Sequence, residues 1–395
     1  MNLSHRPVIV VLGMISKMPV GGVIWQTAHY LTGFERLGYD VFYVEAHART
    51  PSMFAEHEGD DGSARAAEFI AGAMRRYGLE GRWAFHALHS DGRCYGMGEG
   101  RLRQLYRSAA LIVNLHGGTL PLEEHGQTGR LVYLETDPVA LQIELHNNEA
   151  KTIEFLSAHC AFFTFAENYG RPGCRLPVTD RFEFHPTRQP VVLDFWREQR
   201  AGAPNGDHLN FTTVASWRQW SREVSFGGEV YEWSKHFEFL KFLDLPGRTG
   251  QAFELALSRC DEADRRLLES KGWKVRPALG FSTDADAYRD YIQRSRGEFT
   301  VAKDQNVRLR TGWFSDRSAT YLAAGRPVVT QDTGFGDSIP AGEGLFAFST
   351  LDEAAAAIEA TNADYERHRR AAHALARDYF SHDVVLASVL KTLGV

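Results

Sequence analysis

A Ser-Asp-Arg-Ser sequence opens a helical pattern near the C-terminal end of the chain, within RLRTGWFSDRSATYLAAGRPVVTQDTGFG (308–336). The first turn of a helix has backbone N–H groups without intrahelical partners and a partial positive charge, so it binds phosphate. Ser315 is the expected N-cap residue. The N–H groups of Asp316, Arg317 and Ser318 would face the anion, and Arg317 would add a charge-assisted hydrogen bond. The segment predicts a phosphate site, unless Ser315 only caps the helix and Arg317 is solvated.

Three polar side chains end apolar runs in the first half of the chain, where they are candidates to take a proton from a hydroxyl group. His116 follows LIVNL and precedes two glycines, Asp137 follows VYLET and precedes Pro138, and Glu45 ends DVFYV. Histidine and carboxylates are the usual general bases of enzymes. A carboxylate before proline is also a natural helix cap, so Asp137 has a structural alternative. We therefore rank His116 first.

The elements that position these residues alternate between strands and helices. In the first half the runs PVIVVLGM, YDVFYVEAH, ALIVNLHGG, RLVYLETDP and CAFFTFAEN are typical of buried parallel strands. A glycine loop with Gly21 and Gly22 precedes the first helical pattern, which ends at Gly38. The second half repeats the alternation with LNFTTVASW, KVRPAL, GEFTVAK, RPVVTQD and EGLFAFST. Each half therefore predicts a parallel α/β sheet.

A proline- and glycine-rich segment, RPGCRLPVTDRFEFHPTRQPVVLDFWREQRAGAPNGDH, separates the two alternations and is typical of a linker. We predict one Rossmann-like domain over 1–195 and a second over 196–378. A terminal helix over 379–395 is expected to pack back on the first domain. Two such domains enclose a cleft, and clefts between domains are preferred ligand sites.

Composition excludes several classes of protein. The net charge of -6 over 395 residues disfavours general binding to nucleic acid, which needs a broad basic surface. Four cysteines without Cys-x-x-Cys spacing are typical of reduced thiols, so we expect a cytoplasmic protein. The N-terminal apolar run is too short for a signal peptide or a membrane span. No motif indicates a metal site, a Walker-type loop or a dinucleotide fingerprint.

Two segments resemble motifs of the GT-B glycosyltransferases. GMISKMPVGGVIWQTAHYLTGFERLGYDVFYVE (13–45) is similar to the family's N-terminal glycine-loop motif, and SATYLAAGRPVVTQDTGFG (318–336) is similar to its C-terminal EAMAAGRPVVATDVGG segment. The resemblance implies two Rossmann-like domains that face each other across a cleft. It implies that the second domain binds a nucleotide-diphosphate sugar, with a UDP- or dTDP-sugar expected first. The first domain would bind the acceptor, and no cofactor or metal would be needed.

The resemblance also implies donor-binding residues in the second half. In this fold a basic residue after the first strand of that half neutralises the diphosphate leaving group. Arg218 matches this place, and Lys235 is a further candidate, although SFGGEVYEWSKH is inserted before it. The base would lie against the backbone that follows the strand WKVRPAL, a region marked by Arg276. Lys303 ends a neighbouring strand at the same edge.

One departure from the family concerns the reaction's stereochemistry. Retaining members carry two glutamates around the phosphate-binding helix, and alignment on 323–325 places Gly312 and Thr320 at those positions. Both carboxylates are absent, whereas Asp316 lies one turn away and the Thr320 hydroxyl remains for a ribose contact. We therefore expect an inverting enzyme.

The predicted function is transfer of a sugar from a nucleotide-diphosphate donor to a hydroxyl of a small-molecule or lipid-like acceptor. Alternatives with the same fold are a nucleotide-sugar 2-epimerase, a phosphorylase and a catalytically degenerate nucleotide-sugar binder. A glycosyltransferase acting on modified nucleic-acid bases is a further alternative, which the acidic composition disfavours. The sequence does not indicate an oligomeric state.

Overall fold

A computed structural model describes residues 6–46, 62–197, 210–220 and 222–395 of the chain. The strands of the first half are β1 (Val8–Leu12), β2 (Asp40–Glu45), β3 (Trp83–His86), β4 (Cys94–Tyr95), β5 (Leu111–Leu115), β6 (Leu131–Glu135), β7 (Ala161–Thr164) and β8 (Phe184–Pro186). Its helices are α1 (Gly21–Arg36), α2 (Ser63–Arg76), α3 (Glu99–Ser108), α4 (Glu123–Gly126), α5 (Ala140–His146) and α6 (Ala150–Ser157).

The first sheet has the order β4-β3-β2-β1-β5-β6-β7-β8, and all neighbours are parallel except β3 and β4. Strands β1 and β5 lie at its centre. They are apolar because helices cover both faces of a parallel sheet. The strand order reverses between β1 and β5. The loops after these two strands therefore lie side by side at the carboxyl edge, which is where open α/β sheets bind ligands.

The second half repeats this construction. Its strands are β9 (Asn210–Ser216), β10 (Val224–Phe226), β11 (Glu229–Tyr231), β12 (Ala252–Ser258), β13 (Trp273–Pro277), β14 (Gly297–Thr300), β15 (Val328–Gln331) and β16 (Leu345–Phe348). Its helices are α7 (His236–Leu240), α8 (Leu245–Arg248), α9 (Glu262–Ser270), α10 (Leu279–Ser282), α11 (Ala285–Arg294), α12 (Asp304–Arg308), α13 (Asp316–Ala323), α14 (Leu351–Ala363), α15 (Tyr365–Leu375) and α16 (His382–Leu393). A single π-helical turn (Ala376–Phe380) joins α15 to the last helix.

The second sheet is parallel throughout, in the order β13-β12-β9-β14-β15-β16, and reverses between β9 and β14. Strands β10 and β11 form a separate antiparallel hairpin. The predicted α/β class with two Rossmann-like sheets is confirmed. The sequence did not predict β3, β4, β8, β12 or the hairpin.

The two halves share an apolar core and pack directly on each other. One buried cluster includes Trp25 and Phe34 of the first half and Phe314 and Tyr321 of the second. The indole of Trp25 donates to the carbonyl of Ala285 at 2.8 Å. A large buried aromatic that crosses from one half to the other fixes their relative position through both apolar contact and a hydrogen bond.

The C-terminal helix α16 packs against α1 of the first half. A Cβ placed on Gly33 would lie 2.5 Å from Leu386 and 3.1 Å from the Cβ of His382, so only glycine allows the two helices to approach this closely. None of the helices in the described ranges is long and apolar enough to cross a membrane.

Candidate active site

The carboxyl edges of the two sheets meet, and side chains from their strand ends form one site. Lys303, after β14, donates to the carboxylate of Asp137, after β6, at 2.5 Å. The indole of Trp313 donates to the carbonyl of Thr136 at 3.1 Å. Asn168, after β7, donates to the carbonyl of Gly334 at 2.9 Å. These three contacts each cross from one half to the other.

His116 lies at the first sheet's reversal point, in the left-handed backbone region with φ 65°. Its Nδ1 forms a 2.9 Å hydrogen bond with the hydroxyl of Thr136, while its Nε2 is enclosed and has no partner in the part of the chain that the structure describes. Burial lowers the pKa of His116 to about 4. The imidazole is therefore neutral at pH 7, with one nitrogen held and the other free. An unprotonated nitrogen can accept a proton, and a general base acts best when its pKa lies closer to the working pH than this value.

Asp137 also lies at this edge, and its two carboxylate oxygens have different surroundings. One oxygen accepts from Lys303, and the other is buried without a partner among the described residues. Two residues later, Val139 has φ 119°, which is a strained conformation for a β-branched residue. Backbone strain is concentrated at functional sites. His116 and Val139 follow the adjacent strands β5 and β6. The two positive φ angles therefore lie at or beside the predicted bases His116 and Asp137.

The third predicted base, Glu45, faces its own half of the molecule. Its carboxylate accepts from the backbone N–H of Ser16 at 3.0 Å and from the hydroxyl of Tyr43 at 2.5 Å, and it also binds the hydroxyl of Ser16. Glu45 is fully buried. These bonds anchor the loop between β1 and α1, so the geometry favours a positioning role for Glu45 over proton transfer.

The predicted glycine loop opens α1 and faces the second half. A Cβ on Gly21 would overlap the ring of Tyr288, and a Cβ on Gly22 would lie 3.9 Å from a carboxylate oxygen of Asp316. None of the side chains that the structure describes caps α1 by a hydrogen bond, and its first turn contains no acidic residue. The N-termini of α1 and α13 therefore approach each other, and both have partial positive charge directed at the space between the halves.

Asp316 occupies the N-terminus of α13 with its own side chain. Burial raises the pKa of Asp316, and its own N–H and that of Arg317 oppose this rise. The predicted cap Ser315 is at the N-cap position but its side chain makes no capping hydrogen bond. The hydroxyl of Ser318 is buried and has no partner among the described residues. A phosphate at this helix would therefore meet the Asp316 carboxylate.

The structure gives Arg317 a different position from the predicted one. Its guanidinium binds Glu298 at 2.5 Å, the carbonyl of Val214 at 2.7 Å and the hydroxyl of Thr300 at 2.8 Å. These groups lie on β9 and β14, so Arg317 holds α13 on the second sheet through each of its three guanidinium nitrogens. The hydroxyl of Thr320 likewise donates to the carbonyl of Arg317 at 2.6 Å. A ribose would find only an acceptor lone pair there.

Lys235 lies in the site, as predicted, even though the inserted hairpin precedes it in the sequence. Ring contact between Phe226 and His146 of α5 and hydrogen bonds from Arg308 of α12 to the hairpin hold the insertion across both halves. The chain then re-enters at Lys235, whose ammonium lies 5.7 Å from the ring centre of Trp313. The insertion therefore forms a bridge between the halves and leaves the predicted lysine in place.

Two lysines, Lys303 with an ion-pair partner and Lys235 without one among the described residues, bring positive charge to this site. Burial, followed by the charges of Arg317 and Lys303, lowers the pKa of Lys235 to about 7. No carboxylate in the described ranges forms an ion pair with it. Burial also lowers the pKa of Lys303, against the opposing effect of Asp137. Lys303 lies 3.1 Å from the ring centre of Trp233. A site that depresses lysine pKa values favours an added anion, because the anion restores the protonated form.

The other two basic candidates have partners within the second half. Arg218 follows β9 as predicted, but it binds Asp264 of α9 at 2.7 Å and lies over the exposed Trp220. Arg276 packs over Phe281 and Tyr291 and lines a cavity of about 330 Å³ beneath α11. Among the described residues, no three His, Cys, Asp or Glu side chains are grouped as metal ligands.

Gly312, at the position of the first missing glutamate, is in close contact with the first half. It has φ 74°, and a Cβ there would lie 2.8 Å from Cγ and 2.9 Å from the backbone N of Asn168. A glutamate at this position is incompatible with the observed contact between the halves.

We expect Gly312→Ala to lower the free energy of unfolding by about 1–3 kcal/mol, because alanine is strained at this φ and its Cβ overlaps Asn168. Gly336→Ala is the matched control, since it lies in the same region with no atom within 4 Å of its Cβ position. Urea titration of both variants measures the difference. Equal stabilities would show that the contact with Asn168 is not maintained in solution.

Several residues of the site were not predicted from the sequence. Thr136 comes directly before Asp137, Trp313 comes directly after Gly312, and Trp233 lies two residues before Lys235. The only indication of them in the sequence was a predicted site residue close by. Each takes part in the site through a contact with the opposite half or with a neighbouring strand.

No family model and no curated protein sequence matches the chain. Solved structures do match it. Anabaena Alr3699/HepE in complex with UDP and glucose is similar with a TM-score of 0.56 at 12% identity, over 98% of this chain and 100% of that chain. AviGT4, a glycosyltransferase involved in avilamycin A biosynthesis, gives a TM-score of 0.53 at 12% identity, with 98% and 97% covered.

A third similar structure is an alpha-glucosyltransferase in complex with UDP and a DNA 13-mer containing an HMU base. Its TM-score is 0.58 at 9% identity, over 98% of this chain and 99% of that chain. Identities this low establish the architecture and nothing finer. Together with the two parallel sheets that meet at their carboxyl edges, these likenesses show that the chain has the GT-B glycosyltransferase fold.

Proposed function

We propose that this protein is a metal-independent glycosyltransferase. It moves a sugar from a nucleotide-diphosphate donor, a UDP-sugar first, to a hydroxyl of a small-molecule or lipid-like acceptor with inversion. The observation that carries the proposal is the pair Lys235 and Lys303, with lowered pKa values, where the halves meet: Lys303 binds Asp137 across the cleft, and Lys235 lies 5.7 Å from the ring centre of Trp313. A diphosphate is the anion that such a site would stabilise most as its charge develops.

The acceptor side of the proposal rests on His116. A neutral imidazole with a free nitrogen at the carboxyl edge of the first sheet is suited to remove the proton of a hydroxyl as the sugar is transferred. The two similar structures that contain UDP, HepE and the alpha-glucosyltransferase, support a UDP-sugar as the first donor to test. The alpha-glucosyltransferase also contains DNA, so a modified DNA base is the second acceptor class to test.

The experiment is a binding panel with the diphosphates of uridine, thymidine, guanosine, adenosine and cytidine. A ligand at about 100 times its dissociation constant adds about 2.7 kcal/mol of stability, which raises the midpoint of thermal unfolding. We expect uridine diphosphate to stabilise the protein and Lys235→Met to reduce the stabilisation at the same ligand concentration. If none of the five raises the midpoint, the proposed donor site is wrong.

Product analysis separates transfer from the other reactions of this fold. With the donor found in the panel, a transferase releases the nucleoside diphosphate in proportion to added acceptor. An epimerase converts the donor sugar without any acceptor, and a phosphorylase needs inorganic phosphate. Binding of donor with no turnover under any of these conditions would identify a degenerate binder.

A further inference from the structure

Thr136 holds two parts of the site together. Its hydroxyl lies 2.9 Å from Nδ1 of His116, and its carbonyl accepts a 3.1 Å hydrogen bond from the indole of Trp313. His116 follows β5, Thr136 follows the adjacent strand β6, and Trp313 belongs to the opposite half. The side chain and the backbone of one residue therefore connect the proposed base to the segment that leads into α13.

We propose that Thr136 is the positioning residue of the proposed transferase: its hydroxyl accepts the Nδ1 hydrogen of His116 and keeps the Nε2 lone pair free for the acceptor's proton. The inference rests on the proposed function. In the transfer step, the acceptor O–H bond breaks and its proton goes to Nε2. The acceptor oxygen bonds to the sugar carbon, and the electron pair of the broken carbon–oxygen bond leaves with the diphosphate.

The hydrogen-bond inventory of the ring favours this arrangement. A neutral imidazole carries one hydrogen, either on Nδ1 or on Nε2. If Thr136 donated to Nδ1, the hydrogen would sit on the enclosed Nε2, which has no acceptor among the described residues. Buried N–H groups without acceptors are rarer than acceptors with an unused lone pair. Thr136 is half-buried, so its own hydroxyl hydrogen can be satisfied by solvent.

The bond from Trp313 makes this positioning dependent on contact between the halves. Separation of the halves breaks both the bond to Thr136 and the ion pair between Lys303 and Asp137. Trp313 also lies under the ammonium of Lys235. Closure of the halves around a donor therefore fixes Thr136 and, through it, the orientation of His116.

Nitrogen-15 spectra of histidine-labelled protein test the tautomer without any substrate. The chain has 16 histidines, and the His116 signals are those lost in His116→Asn. At pH 7 we expect a protonated Nδ1 and an unprotonated Nε2. Thr136→Val keeps the side-chain shape and should give a mixture of tautomers, whereas Thr136→Ser should restore the wild-type spectrum. A wild-type spectrum with hydrogen on Nε2, or one unchanged in Thr136→Val, would overturn the inference.

Kinetics test the consequence for transfer. We expect Thr136→Val to lower kcat by about 10- to 100-fold with an unchanged KM for the donor, because positioning partners contribute on that scale. Thr136→Ser should recover most of the rate. Thr128→Val is the matched control, since Thr128 is also half-buried in the first half and its hydroxyl bonds to the backbone of His125 and Arg130.

The two measurements distinguish failure of the inference from failure of the proposed function. A fixed tautomer with full kcat in Thr136→Val overturns the positioning role and leaves the transferase standing. Absence of transfer by the wild-type protein with every donor overturns the proposed function and the catalytic part of the inference. The spectra still decide, independently, whether Thr136 sets the tautomer.

Discussion

His116→Asn is expected to lower kcat by about 10²- to 10⁴-fold while donor binding stays at the wild-type level, because a general base contributes on that scale. Asparagine is the appropriate replacement. It has no basic nitrogen, and it tolerates the left-handed backbone, φ 65°, that His116 adopts. The loss can then be assigned to the missing base. Steady-state rates and uridine diphosphate affinity of the purified variant measure the two quantities separately.

His159→Asn is the matched control for this experiment. His159 is also buried, and burial lowers its pKa to about 4 as well. It lies just before β7, and its two ring nitrogens bond to Asn114 and to the carbonyl of Phe155, so neither is free to take a proton from an acceptor. We expect its kcat to be unchanged. A wild-type rate in His116→Asn would exclude His116 as the base and leave Asp137 as the next candidate to test.

The fold was predictable where apolar runs coincide with parallel strands buried on both faces. Strand β1, with the sequence VIVVL, is of this kind, and β5, with the sequence LIVNL, is interrupted only by Asn114. Strand β12 was missed because Ala252–Ser258 is rich in alanine, leucine and glutamate, which favour a helix in isolation. Pairing with β9 and β13 on either side overrides that preference.

The candidate site was predictable in position and only partly in detail. Strand ends of a parallel sheet meet at one edge, so His116 and Asp137 were expected together, and the structure places them on adjacent strands. The partners of Arg317 were not predictable, because Glu298 and Val214 reach it only through the packing of α13 on the sheet. A charged residue's role depends on which groups the tertiary structure brings to it.

Lys235→Met is expected to weaken binding of uridine diphosphate by about 10- to 100-fold, because a charge-assisted hydrogen bond contributes roughly 1.5–3 kcal/mol. Transfer should slow by about 10²- to 10³-fold, because Lys235 would stabilise the leaving diphosphate.

Asp316→Asn should have the opposite effect on binding of uridine diphosphate. Removal of a like charge about 4 Å from a phosphate strengthens binding by about 1 kcal/mol, or roughly fivefold. Titration calorimetry at constant ionic strength measures both variants.

The pH dependence of the affinity for uridine diphosphate tests the role of Lys235 separately. The free protein holds Lys235 at a pKa of about 7, and a bound diphosphate raises that pKa, so binding takes up a proton above pH 7. Affinity should therefore fall by up to about 10-fold per pH unit as pH rises from 7. The groups around it are Arg317, Lys303, Glu298 and Asp316. Of these only Lys303 also loses a proton in this direction, so Lys303→Met identifies its share.

Stability without ligand provides the independent check on the same lysine. Because the pKa of Lys235 is lower in the folded protein than its ordinary value of 10.5, the unfolded chain binds more protons between pH 7 and 10.5. Stability relative to Lys235→Met should therefore rise with pH across that window and be flat below it. A rise without any effect of Lys235→Met on diphosphate affinity would place the lysine in a buried site that the donor does not use. Both effects together would assign the diphosphate to Lys235.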